Sequence, residues 1–195
     1  MLAVLNYYGY VLESVKMMET PRGISYTGDI YHSGDKIGTA FNGGDGGMTQ
    51  VYSSAAAHDH GKILTEAFVE RLFLLNDYET IFIEEMRDKP KKGLAFVTYQ
   101  NPFDLEAILC NRNETMDSIV NRIMNARGGR EVKTIEVFRS AEDFNIDKSH
   151  NPDLFTADSK LNINPASVLT KIRQSKQNTP QKNAAKKRTK SGPEL

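Results

Sequence analysis

Lys36-Ile-Gly-Thr-Ala-Phe-Asn-Gly-Gly-Asp-Gly-Gly-Met-Thr-Gln-Val-Tyr52 is the stretch that decides how the N-terminal third of this chain folds. Two short runs of strand character flank a loop in which four of six residues are glycine. A chain that must reverse between two strands needs residues tolerant of positive φ, and glycine supplies them without steric cost. Working back, Ser33-Gly34-Asp35 reads as a hairpin loop into the strand 36–41. Before it, Ile24, Tyr26, Gly28 and Ile30 alternate with polar neighbours at the period of a half-buried strand. Pro21-Arg22-Gly23 is a turn, and the aromatic and β-branched run 8–20 favours extended backbone. Four strands joined by short turns predict an antiparallel meander.

Beyond the meander the period changes. Leu64, Ala67, Phe68, Leu72 and Leu75 recur at helical spacing and predict a helix over 62–75. Residues 78–88 are ambiguous, because Ile81-Phe82-Ile83 suits either a strand or one turn of buried helix. Lys89-Pro-Lys-Lys-Gly93 is a loop, 94–99 a compact apolar strand and 105–110 a second one. Met116, Ile119, Val120, Ile123 and Met124 form one stripe of a second helix. Asn113 or Thr115 is placed to cap its start and Gly128-Gly129 to end it. The segment 132–138 is again a strand. The fold class expected is therefore α+β: an N-terminal antiparallel β-meander, then a mixed or antiparallel sheet with two main helices, then a disordered basic C-terminal tail. In domain terms, 1–54 is the meander with its glycine-rich loop, 55–147 is the α+β part of the same compact body, and 148–195 is largely tail.

The formal net charge of zero hides a segregation of charge. Residues 171–195 hold eight of the 25 Lys and Arg and one of the 25 Asp and Glu, so the tail carries +7 and residues 1–170 carry −7. An acidic body repels nucleic acid, while a basic segment attracts it or an acidic partner. One cysteine, Cys110, excludes an internal disulfide, fits a reducing compartment and reads as a small buried strand residue. No apolar run is long enough to span a bilayer as a helix, and the N-terminus lacks the pattern of a signal peptide. A cytoplasmic protein, with no membrane contact, is the simplest expectation.

Candidate sites are few. The loop of Asn42, Gly43, Gly44, Asp45, Gly46 and Gly47 is either a hairpin connection or a ligand-contacting loop. It lacks the Gly-Lys-Ser/Thr step into a helix that phosphate loops use, and the spacing of dinucleotide-binding turns. His58-Asp59-His60 offers two imidazoles, but a metal wants at least three protein ligands, and only His32 and His150 remain. The plainer reading is a polar connection in which Asp59 helps to cap the following helix. Arg122, Arg127 and Arg130 suggest a basic strip or solvated helix ends. In the tail, Lys182, Lys186, Lys187, Arg188 and Lys190 suit salt-dependent, non-specific contact with nucleic acid, or simple solubilisation. No aromatic residue is interleaved among these cations, so base stacking in the tail is not expected. No catalytic constellation, metal site or cofactor site is read from the sequence, so a non-catalytic protein is expected.

Between residues 23 and 52, Gly-Ile-Ser-Tyr-Thr-Gly-Asp-Ile-Tyr, Lys-Ile-Gly-Thr-Ala and Asn-Gly-Gly-Asp-Gly-Gly-Met resemble small accessory proteins carried by bacterial phages and plasmids. Some of those inhibit host defence, including anti-CRISPR and anti-restriction proteins. The resemblance implies a mobile-element protein in a bacterial cytoplasm that binds and blocks a defence nuclease, so that its partner is another protein. Two alternatives stand beside it. One is a nucleic-acid-associated accessory protein using the basic tail; the other is a small nucleotide-binding or metal-dependent enzyme.

Overall fold

The computed structural model describes residues 5–53, 60–99, 105–126 and 131–157. The expected meander is present as Tyr10–Thr20 (β2), Gly23–His32 (β3), Asp35–Gly43 (β4) and Gln50–Ser53 (β5), each strand antiparallel to the next. A short strand, Asn6–Tyr7 (β1), precedes it and pairs with β2. The segment 8–20 is thus not one extended run. The chain reverses at Tyr8-Gly9, where φ is 55° and 85°, with Tyr7 facing Tyr10 across the ladder. Ser33-Gly34 repeats that geometry at φ 54° and 88°. Positive φ at both central residues matches the right-handed twist of the flanking strands, which is why two residues suffice at each reversal.

Helix α1 spans Glu66–Met86 and is capped by the Thr65 side chain, which accepts a hydrogen bond from the Phe68 amide at 3.3 Å. Thr65 therefore holds the capping position proposed for Asp59, which lies outside the described residues. The helix also runs a further three turns past Leu75. Tyr78, Glu79 and Phe82 continue its buried stripe at i+3, i+4 and i+7, which resolves the ambiguous segment as helix. Strands Lys92–Tyr99 (β6) and Leu105–Asn111 (β7), helix α2 (Met116–Ala126) and strand Val132–Phe138 (β8) follow as expected. Thr115 lies at the start of α2, where its hydroxyl accepts from the Ser118 amide at 3.4 Å. Two more strands, besides β1, were not foreseen. Asn145–Ile146 (β9) pairs in parallel with β1, and Asp153–Thr156 (β10) pairs with β8. Strand β10 falls inside 148–195, the segment assigned to tail, and the compact body extends to Ala157.

The strands form a six-stranded sheet ordered β5-β4-β3-β2-β1-β9 and a four-stranded sheet ordered β10-β8-β6-β7. Side chains of β6 show how they stack. Leu94 and Phe96 join a core with α1 and the meander residues Tyr10, Leu12, Ile30 and Ala40. The alternate residues Ala95, Val97 and Tyr99 join a second core with Ile119 and Ile123 of α2. The layers therefore run meander sheet, α1, second sheet, α2. A strand buried on both faces reads as a continuous apolar run, and Leu94-Ala-Phe-Val is that run. Rings knit the central layer: Tyr78 stacks on Phe96 at 4.0 Å and Phe138 on Phe144 at 4.3 Å between centroids. Gly28 lets the helix approach β3, since a Cβ there would lie 2.9 Å from Cζ of Phe73.

Candidate binding cleft

Residues on one face of a strand recur at every second position. Tyr26 of β3 faces α1, its ring tilted against Phe73 at 4.1 Å between centroids. Ile24 shares that face, and Met17 sits directly opposite Tyr26 in the ladder. The β2–β3 hairpin extends past the helix, so these side chains overhang open space instead of core, with Met17 36% and Ile24 45% exposed. Beneath them opens a cleft of about 800 Å³. Its other walls are Arg71, Leu74, Asp77 and Tyr78 of α1 and the ends of β6, β7 and β8.

Of the charged groups on those walls, which also include Glu19, Arg22, Asp77 and Lys133, Arg71 and Glu136 are matched to each other. Arg71 and Glu136 form a two-pronged ion pair, Nη1 to Oε1 at 2.8 Å and Nη2 to Oε2. Burial on its own would lower the Arg71 pKa, but the hydrogen bonds and charge of Glu136 outweigh it and raise the value. The guanidinium thus stays charged and committed to its partner. The hydroxyls of Thr98 and Thr134 bond each other, and Tyr99 donates to Glu106 Oε2 at 2.9 Å. Two groups stand apart. The Tyr78 hydroxyl is buried and has no hydrogen-bond partner among the described residues, and burial together with the nearby Glu136 charge pushes its pKa up. Burial also raises the pKa of Asp77. With that ion pair closed, the cleft sets the apolar side chains of its roof beside a mixed group of charges, Glu19, Arg22, Asp77 and Lys133.

The glycine-rich loop meets this cleft from behind its roof. The Thr20 hydroxyl donates to the carbonyls of Gly23, at 2.9 Å, and Gly44. Gly44 lies so close to β3 that a Cβ would stand 2.6 Å from the Ser25 amide nitrogen. Within the loop, Asn42 Oδ1 accepts from the Gly44 amide at 2.8 Å and Asp45 Oδ1 from the Gly47 amide at 2.9 Å. A carboxylate of the loop itself occupies the place an anion would take at Gly47. At the loop's exit the Thr49 amide donates to Glu66 Oε1 at 2.8 Å and its hydroxyl to Glu70 Oε1 at 3.1 Å. Gly43 and Gly46 complete the connection, with Gly46 at φ 86°.

Of the other expected sites, His60 is described, whereas His58 and Asp59 lie outside the described residues. His60 packs beside His32, with ring centroids 4.6 Å apart, and no group of three metal-ligating side chains occurs among the described residues. Arg122 pairs with Glu114 at 3.2 Å; Arg127 and Arg130 lie outside the described residues. Cys110 is buried, and burial raises its thiol pKa. Lys182, Lys186, Lys187, Arg188 and Lys190 also lie outside. The cleft escaped sequence reasoning because it joins residues such as Arg71 and Glu136, 65 positions apart. No family model, curated protein or solved structure matches this chain.

Proposed function

We propose that this chain is a binding protein that takes an apolar segment of a partner protein into the cleft under the β2–β3 hairpin. The observation that carries the reading is the pairing of exposed Met17 and Ile24 above with a closed Arg71–Glu136 ion pair below. Methionine is flexible and polarisable, and suits surfaces that accommodate a guest chain. Tyr78 lies at the base of the site, with a buried hydroxyl that has no hydrogen-bond partner among the described residues. Blocking a host defence nuclease is the specific form of this function that the resemblance of residues 23–52 supports.

The test places charge on the roof. Met17→Glu with Ile24→Glu should abolish stoichiometric capture of the partner from host lysate and any loss of nuclease activity there. The melting temperature should barely move, since both residues are already exposed. Capture that survives both substitutions overturns the assignment of the cleft.

A further inference from the structure

A second concavity, of about 490 Å³, lies beside the Tyr8-Gly9 turn and the approach to α1. Its walls are almost wholly rings: Tyr7, Tyr8, Tyr10, His32, His60 and Phe68, with Ile63 at the rim. They form one continuous network. Tyr7 stacks on Phe68 at 4.9 Å and meets Tyr8 edge-on at 4.9 Å. Tyr10 contacts Phe68 at 5.0 Å, His32 at 4.8 Å and His60 at 5.7 Å. The Tyr10 hydroxyl and His60 Nδ1 are hydrogen-bonded at 2.9 Å, which fixes the imidazole.

Tyr8 is the informative residue. It sits at φ 55°, a left-handed position where asparagine or glycine is the normal choice, and it is 40% exposed. Neither hairpin geometry nor core packing calls for a tyrosine there. A ring held in an unfavourable backbone conformation at the mouth of an aromatic concavity is a contact surface. No Asp, Glu, Lys or Arg is among the described residues lining it, so these walls favour a neutral planar guest over an ion. Imidazole nitrogens and phenol hydroxyls around aromatic faces match the donors and acceptors on the edge of a heterocycle.

We propose that this corner binds an unstacked nucleobase, carried either by a free nucleotide or by a single strand. The inference is independent of the cleft.

The experiment uses the full chain with adenosine 5′-monophosphate, ribose 5-phosphate, choline and a single-stranded oligonucleotide of about ten nucleotides, a length within the usual site size for such proteins. Saturable binding of the monophosphate but not of ribose 5-phosphate supports the site with a free nucleotide as guest. Binding of the oligonucleotide alone, lost in an abasic version, supports it with a strand as guest. Tyr8→Asn separates recognition from folding, because asparagine suits the left-handed position. It should weaken base binding by roughly tenfold while the melting temperature holds or rises. Failure of both base-carrying probes overturns the proposal, as does ribose 5-phosphate or choline binding as well as the monophosphate, or unchanged affinity in Tyr8→Asn.

Discussion

Glu79 is a carboxyl on the buried stripe of α1, 6% exposed, and its charge is a liability whose size can be worked out. Oε2 accepts the Leu5 amide at 2.8 Å, while Oε1 has no partner among the described residues. Burial raises its pKa from 4.5 to about 7, against the smaller lowering effect of the Leu5 bond. The folded protein therefore keeps a proton on Glu79 between pH 4.5 and 7 that the unfolded chain has released. Stability from this group is fully present below the unfolded value and is lost as pH rises through the folded one. The loss between pH 4.5 and 8 amounts to about 3 kcal/mol, a large part of a typical domain's total.

Glu79→Gln removes the titration while keeping the acceptor for Leu5. Its amide NH2 meets the same partnerless surroundings as Oε1, a cost of about 1 kcal/mol. Urea unfolding followed by circular dichroism should then find the variant about as stable as the parent at pH 5 and about 2 kcal/mol more stable at pH 8. Other ionisable groups are common to both proteins and cancel in the difference. A variant-minus-parent difference that stays constant from pH 5 to pH 8 would refute the reasoning.

Two further substitutions probe the layers around α1. Arg71→Ala strands the Glu136 carboxylate, 4% exposed, and should cost about 3–5 kcal/mol in urea unfolding, whereas Arg71→Met with Glu136→Leu should recover most of that. Equal losses in the single and double variants would show that the pair adds nothing as a pair. Gly28→Ala drives a methyl to 2.9 Å from Cζ of Phe73 and should cost about 1–3 kcal/mol. Phe73→Leu in the same chain should recover part of this, so additive losses would place the strain elsewhere.

What the sequence made legible was whatever its local period announces. Gly28 and Ile30 alternate with polar neighbours, and Ile119 and Ile123 repeat at helical spacing; both became the elements expected. The second half of α1 was hidden because its stripe carries Glu79, a residue rarely buried, and because Ile81 and Ile83 are β-branched. The reversal at Tyr8-Gly9 was hidden because tyrosine is an unusual occupant of left-handed backbone. Strand β10 offers only Leu154 and Phe155 in a polar context, and its place is set by pairing with Glu136 and Ile135 of β8. The glycine-rich loop was visible as a loop, but its tie to the cleft roof through Thr20 depends on a bond across 24 positions.

Those misses share a physical origin that bears on function. A side chain chosen only for folding agrees with its local period, so the residues that disagree are where another demand has been met. On α1 the disagreements are Glu79 and the cleft pair partner Arg71; on β8 it is Glu136; at the N-terminus it is Tyr8. Arg71 joins two of these places, because its charge acts on the hydroxyls of both Tyr7, beside the aromatic corner, and Tyr78, at the base of the cleft. Arg71 is thus the point where the demands of the cleft wall and of the layer beside the aromatic corner meet.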